Sequence, residues 1–183
     1  MNEKVTIKTE PALEEKDFET KETVTDVLTT RMYVLVLRHL SPIQKGIQAA
    51  HAITEYANAH GCLQQYKEWS RVDKTIVLLD VPSTDDFEDL MNSFMELGIN
   101  FAVFEEEDMN NTTTALCFIA DDRVYDRKKY PDFQEWVGSE GILMGMFLGA
   151  EHQSKKFEEW KEFMGGNANI RLRHVIREYR LAR

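Results

Sequence analysis

Apolar runs and amphipathic stretches alternate through the central part of the chain. The run Met32–Leu37 (MYVLVL) is continuously apolar, which is typical of a strand buried on both faces of a sheet. Ser41 can cap a helix and Pro42 suits its first turn, so a helix is predicted from Pro42 to about His60. The chain therefore enters its first helix soon after a buried strand.

This first helix carries a single polar seam. At about 100° per residue, its polar residues fall within roughly 60° of one another: Gln44, Gln48, His51 and Glu55. Its apolar residues lie on another side, which we expect to pack on the sheet: Ile43, Ile47, Ala50 and Ala57. The seam predicts a hydrogen-bonding site around His51, although a solvated helix face with one chance histidine explains the same pattern.

The segments that follow complete a small sheet. Lys74–Val81 is predicted to be the second strand, and Ser83, with Asp86 three residues later, is predicted to start a second helix. Asn100–Phe104 and Thr113–Ile119 are predicted to be strands three and four, joined by a turn. The order β-α-β-α-β-β predicts an α/β fold with a small, mixed four-stranded sheet, flanked by helices and ending in an antiparallel pair.

The two ends of the chain differ from this centre in composition. Residues 1–30 are rich in Glu, Lys and Thr without sustained periodicity, and we expect an acidic, disordered arm there. A short acidic docking segment around Phe18 is the alternative. Residues 31–122 form the predicted α/β domain. Residues 123–183 are predicted to form a helical extension that packs on this core.

Composition and charge argue against several classes of protein. The 183 residues carry a net charge of −10, which argues against broad, non-specific nucleic-acid binding. Two cysteines are too few for a disulfide framework, and no Cys/His spacing resembles a zinc site. No apolar run is as long as a membrane span, and the N-terminus lacks the apolar segment of a signal peptide. We therefore expect a cytoplasmic protein with no metal, no cofactor and no membrane partner.

Two segments can carry chemistry. His51 is a candidate general acid or base, and Gln44 and Gln48 can position a carbonyl or a phosphate. Residues 104–115 (FEEEDMNNTTTA) include four consecutive carboxylates, which can hold Mg²⁺ or accept protons; a solvated acidic turn is the alternative. The threonines that follow can bind a substrate if they face the start of the first helix, but β-propensity also explains them.

Basic residues are concentrated at the C-terminal end. Residues 167–183 carry five arginines against one glutamate, whereas residues 1–30 carry four lysines against eight acidic residues. The last predicted helix has an apolar face, and its arginines lie elsewhere around it. We expect that face to pack on the body, and the guanidinium groups to pair with acidic groups of the same chain or of a protein partner. Contact with RNA or a membrane is the alternative.

Three segments occur in order along the chain: MYVLVLRHLS, QKGIQAAHA and FEEEDMNNTTTALCFIA. Together they resemble the second peptidyl-tRNA hydrolase family, the type found in archaea and eukaryotes. That family has a helix with a K-x-A-A-Q-x-x-H-A-like pattern, for which this chain supplies Gln48, His51 and Ala52. The resemblance is greatest to a divergent bacterial and phage branch and covers roughly residues 32–121. Five residues correspond to the second motif of that branch: Phe104, Glu106, Asp108, Thr114 and Ala115.

The resemblance implies a mixed four-stranded sheet flanked by helices, in a family that is often dimeric. It also implies hydrolysis of the ester that joins a nascent peptide to tRNA, through attack of a water or hydroxyl on the ester carbonyl. We therefore expect a hydrolase acting on peptidyl-tRNA or a related conjugate, with catalytic roles for His51, Asp108 and Thr114. The expected substrate-binding residues are Gln44, Lys45, Gln48 and Thr113.

The sequence also departs from the family pattern. Gln44 stands where the family has the lysine that starts the helix, and Lys45 lies one step of about 100° round the helix. The acidic FEEED segment places negative charge where a tRNA backbone favours positive charge. These departures favour an alternative: a catalytically inactive binding module of the same fold that recognises a nucleotide-like ligand or a protein partner. A structural or host-interaction protein of a phage is a third hypothesis.

Overall fold

A mixed, five-stranded sheet organises the chain. The structure is a computed structural model that describes residues 28–138 and 150–183. The strands are β1 (Thr30–Leu37), β2 (Ile76–Val81), β3 (Phe101–Glu106), β4 (Thr112–Asp121) and β5 (Arg180–Leu181). Their order across the sheet is β3-β4-β1-β2-β5. The predicted disordered arm lies almost entirely outside the described residues, as does part of the predicted C-terminal extension.

Helices cover both faces of this sheet. They are α1 (Pro42–His60), α2 (Gln64–Glu68), α3 (Thr84–Glu96), α4 (Asp122–Tyr125), α5, whose described residues are 133–138, α6 (Ala150–Phe163) and α7 (Asn167–Glu178). Ser41 caps α1 and Ser83 caps α3, each in a capping box with the residue three positions later. Both predicted helix starts are therefore confirmed. None of the helices in the described residues is both long and apolar enough to cross a membrane.

The pairing of the strands confirms a mixed α/β sheet. β1 runs parallel to β2 and antiparallel to β4, and β3 and β4 form the predicted antiparallel pair. The predicted number of four strands is wrong, because β5 pairs with β2 at the edge of the sheet. A strand of two residues, Arg180 and Leu181, is too short to produce a hydrophobic period in the sequence.

Residues of β1 alternate between two apolar cores. Met32, Val34 and Val36 are buried with α1, and their neighbours Leu35 and Leu37 are buried with α3 on the opposite face. This is the arrangement that the continuous apolar run predicts. The second core also contains residues of α7: Leu172, Val175 and, just beyond the helix, Tyr179. The C-terminal third of the chain therefore contributes to the same core as the first strand.

The face of α1 that packs on the sheet is not the predicted one. Ile43 is 78% exposed and Ile47 is 49% exposed, and Ala50 is also exposed. The buried residues are instead Lys45, Gln48, Ala49, Ala52 and Tyr56. The periodicity of apolar residues therefore misplaces the buried face. The reason is that two of the buried side chains are polar and find partners on the sheet, which the site described below explains.

One carboxylate, Asp132, joins two arginines of α7 to the segment that precedes α5. Asp132 lies 2.8 Å from Arg177 Nη2 and 2.9 Å from Arg127 Nη2, in hydrogen bonds. It also lies 3.0 Å from Nε of the buried Arg173, in an ion-pair contact without hydrogen-bond geometry. Desolvation acts to raise the pKa of Asp132, but the bond from Arg177 and the charges of Arg173 and Arg127 outweigh it and hold the pKa below its ordinary value.

The first prediction tests the buried face of α1 with one substitution at two positions. Ala52 is fully buried and Ala50 is exposed, on the same helix. Ala52→Leu should lower the free energy of unfolding by about 1–3 kcal/mol, because the extra volume has to displace packed core atoms. Ala50→Leu should change it by less than about 0.5 kcal/mol. Urea unfolding measures both, and a reversed order would show that the Ile43–Ile47 side is the packed one.

The second prediction concerns Asp132→Asn. The folded protein holds the pKa of this carboxyl below its unfolded value, so the stabilisation is complete above the unfolded value and is lost as the pH falls through the folded one. At pH 7 the variant should lose about 1–3 kcal/mol of unfolding free energy, and the deficit should shrink below about pH 4. Denaturation at pH 7 and pH 3 measures this. The exposed Asp89→Asn is the control, and a deficit independent of pH would contradict the assignment.

Candidate functional site

Four strands have an end on the same side of the sheet: β1, β2 and β3 finish there, and β4 starts there. We call this side the site edge. In the register of the sheet, Val36, near the end of β1, lies between Asp80 of β2 and Ala115 of β4. The end of β3 lies beside the start of β4 in turn. Helix α1 begins a few residues after β1 ends, so its first turns lie over this same edge. Polar side chains from α1 can therefore reach either the β3–β4 side or the β2 side.

On the β3–β4 side, Gln48 joins two strands through its amide. The buried Thr114 hydroxyl donates to Gln48 Oε1 at 2.8 Å, and Gln48 Nε2 donates to Glu106 Oε2 at 2.5 Å. The acceptor Glu106 is a carboxylate, which makes the second hydrogen bond charge-assisted. An amide nitrogen carries two N–H groups, and the described contacts use one of them. This Gln48 cluster, formed by Gln48, Thr114 and Glu106, thus retains a donor.

A β-bulge aims Thr114 at the helix. Phe104 pairs with Ala115, but the next residue of β3, Glu105, pairs with Thr113. Thr114 therefore has no pairing partner on β3. Residues 115, 117 and 119 of β4 belong to the core beneath α1, and simple alternation would send Thr114 to the other face. The extra residue breaks this alternation and re-aims the side chain, as bulges commonly do. The bulge is therefore what completes the Gln48 cluster.

His51 lies one helical turn beyond Gln48 and is exposed. Its ring stacks on the ring of Phe104, with centroids 4.3 Å apart and planes inclined by 12°. Within residues 28–138 and 150–183, no hydrogen bond or ion pair engages either ring nitrogen. Stacking thus fixes the plane of the imidazole while it leaves both nitrogen atoms free to meet a ligand.

On the β2 side, Lys45 is buried in an ion pair. Its Nζ lies 2.6 Å from Asp80 Oδ1, and only 6% of the lysine side chain is exposed. The same Nζ donates to the backbone oxygen of Arg183 at 3.3 Å. Burying an ammonium group costs several kcal/mol unless it is paired, so Asp80 is what allows Lys45 to face the sheet. The geometry gives Lys45 a structural position rather than one from which it could meet a substrate at His51.

The other predicted site residues lie apart from this cluster. Gln44 accepts hydrogen bonds from the Ser41 backbone and hydroxyl, so its side-chain oxygen serves the cap of α1. Asp108 lies on a 3₁₀ turn after β3 and is exposed, and no hydrogen bond or ion pair joins it to the described residues. Thr113 is half-buried opposite Glu105. The structure therefore brings together Gln48, Thr114 and the neighbourhood of His51, but not the remaining predicted residues.

Three residues of the site were not predicted as site residues: Phe104, Glu106 and Asp80. Strand β3 extends to Glu106, two residues beyond its predicted end. Because alternate residues of a strand share a face, Ala102, Phe104 and Glu106 all point towards α1. The strand period therefore contains the signal that selects Glu106 over Asp108 as the carboxylate of the site. Asp80 had no such signal, because it stands at the end of an apolar run.

Metal and thiol chemistry find little support in the described residues. No three His, Cys, Asp or Glu side chains in residues 28–138 and 150–183 are placed to share a metal ion. Burial raises the pKa of the Cys117 thiol to about 12, and its Sγ donates to the Ala52 carbonyl at 3.1 Å. A thiol of this kind is a core residue rather than a nucleophile. The polar chemistry of the site therefore rests on an imidazole, an amide, a hydroxyl and a carboxylate.

The third prediction tests the ion pair of Lys45. Lys45→Met should lower the free energy of unfolding by about 3–5 kcal/mol, because Asp80 is left buried without a counter-charge. The double variant Lys45→Met/Asp80→Leu should recover most of this loss, since an apolar pair needs no desolvation of charge. The exposed Lys155→Met is the control and should change stability by less than about 0.5 kcal/mol. Equal destabilisation of the single and double variants in urea would rule out the ion pair as the cause.

Comparison with known proteins adds little to this geometry. No protein-family model matches the chain, and no curated protein sequence matches it. Among solved structures, it is similar to a protein of unknown function from Agrobacterium tumefaciens strain C58, with 14% sequence identity and a TM-score of 0.36. The match covers 50% of this chain and 87% of the other protein. Function therefore has to be argued from the site itself.

Proposed function

We propose that this protein hydrolyses the ester of peptidyl-tRNA or of a smaller conjugate with the same ester. The observation that carries the proposal is the position of His51, exposed and stacked on Phe104, one turn from the hydrogen-bonded Gln48 cluster. Ester hydrolysis needs a group that takes a proton from water and a donor that stabilises the developing oxyanion. An unpartnered imidazole and an amide with a spare N–H fit these two tasks.

In this proposal His51 is the general base, and later the general acid. One ring nitrogen takes a proton from water as the water oxygen bonds to the ester carbonyl carbon, and the resulting imidazolium gives that proton to the departing oxygen as the ester C–O bond breaks. The spare N–H of Gln48 donates to the ester carbonyl oxygen and stabilises the negative charge that develops there. Thr114 and Glu106 do not touch the substrate; they hold the amide by its oxygen and by its other N–H, so its orientation is set before the ester arrives.

The charge around the site favours a compact ester over contact with a long stretch of tRNA backbone. Glu105, Glu107 and Asp108 are exposed on the strand end and turn next to Phe104. Lys45 is paired with Asp80 instead of standing in the site. Phosphates brought near this acidic turn would be repelled, and the binding energy that basic residues supply through counterion release would be missing.

A binding module without hydrolytic activity is the second candidate. It is favoured by a specific observation, namely that no carboxylate in the described residues holds a ring nitrogen of His51, whereas catalytic histidines are commonly oriented by such a group. In that case the stacked ring and the Gln48 amide would recognise a planar, hydrogen-bonding ligand. Such a ligand would bind without being cleaved.

The fourth prediction tests the hydrolase with two substrates, N-acetyl-aminoacyl-tRNA and N-acetyl-aminoacyl-adenosine. The wild-type protein should release the N-acetyl amino acid from at least one of them. His51→Gln should reduce kcat/KM by about 10²–10⁴-fold, the usual contribution of general acid–base catalysis. Gln48→Met should reduce it as well, through loss of the amide donor. His174→Gln, an exposed histidine on α7, should leave the rate unchanged.

Three results would contradict the hydrolase proposal. They are no release of amino acid by the wild-type protein, equal rates in wild type and His51→Gln, and equal loss of rate in His51→Gln and His174→Gln. Absence of release, combined with a rise in Tm on adding the uncleaved adenosine ester, would identify the binding module instead. Circular dichroism of each variant separates loss of chemistry from loss of fold.

A further inference from the structure

A cavity of about 760 Å³ opens at the ends of β1 and β2, on the opposite side of β1 from the Gln48 cluster. Six residues line it: Arg38, Asp80, Arg180, Leu181, Ala182 and Arg183. We call it the arginine cavity. Its residues come from three places in the sequence, directly after β1, within β2 and at β5 and beyond. None of them belongs to the Gln48 cluster.

Backbone pairing holds the walls of the arginine cavity in place. The Arg38 N–H donates to the Val81 carbonyl at 2.8 Å, which ties the end of β1 to the end of β2. Arg180 pairs with Asp80 in the β2–β5 ladder, and the Ala182 N–H donates to the Leu78 carbonyl at 3.0 Å. Arg180 therefore projects from a strand, Arg38 directly follows the end of β1, and the Arg183 backbone accepts a hydrogen bond from Lys45, so binding a ligand orders little of the chain.

The charges in the arginine cavity are not balanced. All three arginines are exposed, and none has an ion-pair partner within residues 28–138 and 150–183. The one acidic side chain among these six lining residues, Asp80, already pairs with Lys45 at 2.6 Å. In a chain whose net charge is −10, three unpaired guanidinium groups around one cavity are a marked local excess of positive charge.

The topology of the sheet also favours a ligand here. Helix α1 follows β1 and packs on one face, whereas α3 follows the neighbouring parallel strand β2 and packs on the other face. Adjacent strands whose connections leave to opposite faces create a crevice at their carboxyl ends, which is where ligands bind in open α/β sheets. The arginine cavity lies at that crevice.

We propose that the arginine cavity binds a small phosphorylated metabolite, of about the size of a nucleoside monophosphate. Guanidinium groups match the oxygen geometry of phosphate and form charge-assisted hydrogen bonds with it. The volume lies within the usual range of small-ligand sites, about 300–1,000 Å³. Leu181 is 67% exposed and offers an apolar surface for the unphosphorylated part of the ligand. The acidic remainder of the surface disfavours a polyanion.

The fifth prediction is tested by isothermal titration of the full chain with AMP, ribose 5-phosphate and adenosine. AMP and ribose 5-phosphate should bind, and adenosine should not. Arg38→Gln and Arg180→Gln should each weaken AMP binding roughly tenfold or more, as loss of a charged hydrogen bond does. Arg71→Gln is the matched control: an exposed arginine near the amino ends of β1 and β2 that should leave the affinity unchanged.

Several outcomes would overturn the proposal. They are no binding of either phosphate ester by the wild-type protein, binding of adenosine as tight as that of AMP, and equal weakening by Arg71→Gln. Absence of AMP binding together with tRNA binding that Arg38→Gln weakens would show that the arginines serve a nucleic acid instead. His51→Gln should bind AMP like the wild type, so failure of the hydrolase proposal and failure of this one give different results.

Discussion

The ion pair between Lys45 and Asp80 determines how the first helix lies on the sheet. An unpaired lysine could not remain buried, and an unpaired Asp80 under a helix would carry the same penalty. Turning α1 so that Ile43 and Ile47 faced the sheet would bury two isoleucines that are now exposed, but it would separate these two charges. The observed rotation satisfies both charges and places Gln48, three residues later, over Thr114. The position of the polar cluster therefore depends on the ion pair.

Much of the fold can be predicted from the sequence, because the signals that predict it act between nearby residues. The apolar run of β1 and the capping residues Ser41 and Ser83 act over a few positions, and the elements they predict are present. The buried face of α1 is not readable in the same way, because it depends on Asp80, 35 positions away. Helical periodicity uses only the hydropathy of nearby residues. It therefore does not register that a distant carboxylate makes a lysine suitable for burial.

The candidate site, too, is predictable where local signals set it and not where distant contacts do. Gln48 and Thr114 stand in separately predicted segments, and the fold joins them directly. What joins them is a bulge, which no alternation pattern reveals, and the carboxylate that completes the cluster is Glu106 rather than Asp108. The start of α1 thus has an acidic turn on its β3 side and the arginine cavity on its β2 side. A polar ligand approaching this edge meets opposite charges on the two sides, which orients it before contact.

The two sites become complete at different stages of synthesis, because the arginine cavity includes the last strand. The bond between Thr114 and Gln48 closes a loop of 66 positions, whereas the bond from Lys45 to Arg183 spans 138. Domains emerge from the ribosome N-terminal end first, and contacts between distant positions form only after the intervening chain exists. The residues of the Gln48 cluster are therefore all available for pairing while α7 is still being synthesised. The arginine cavity acquires one wall only when β5 pairs with β2, so it depends on a strand that is synthesised after every residue of the Gln48 cluster.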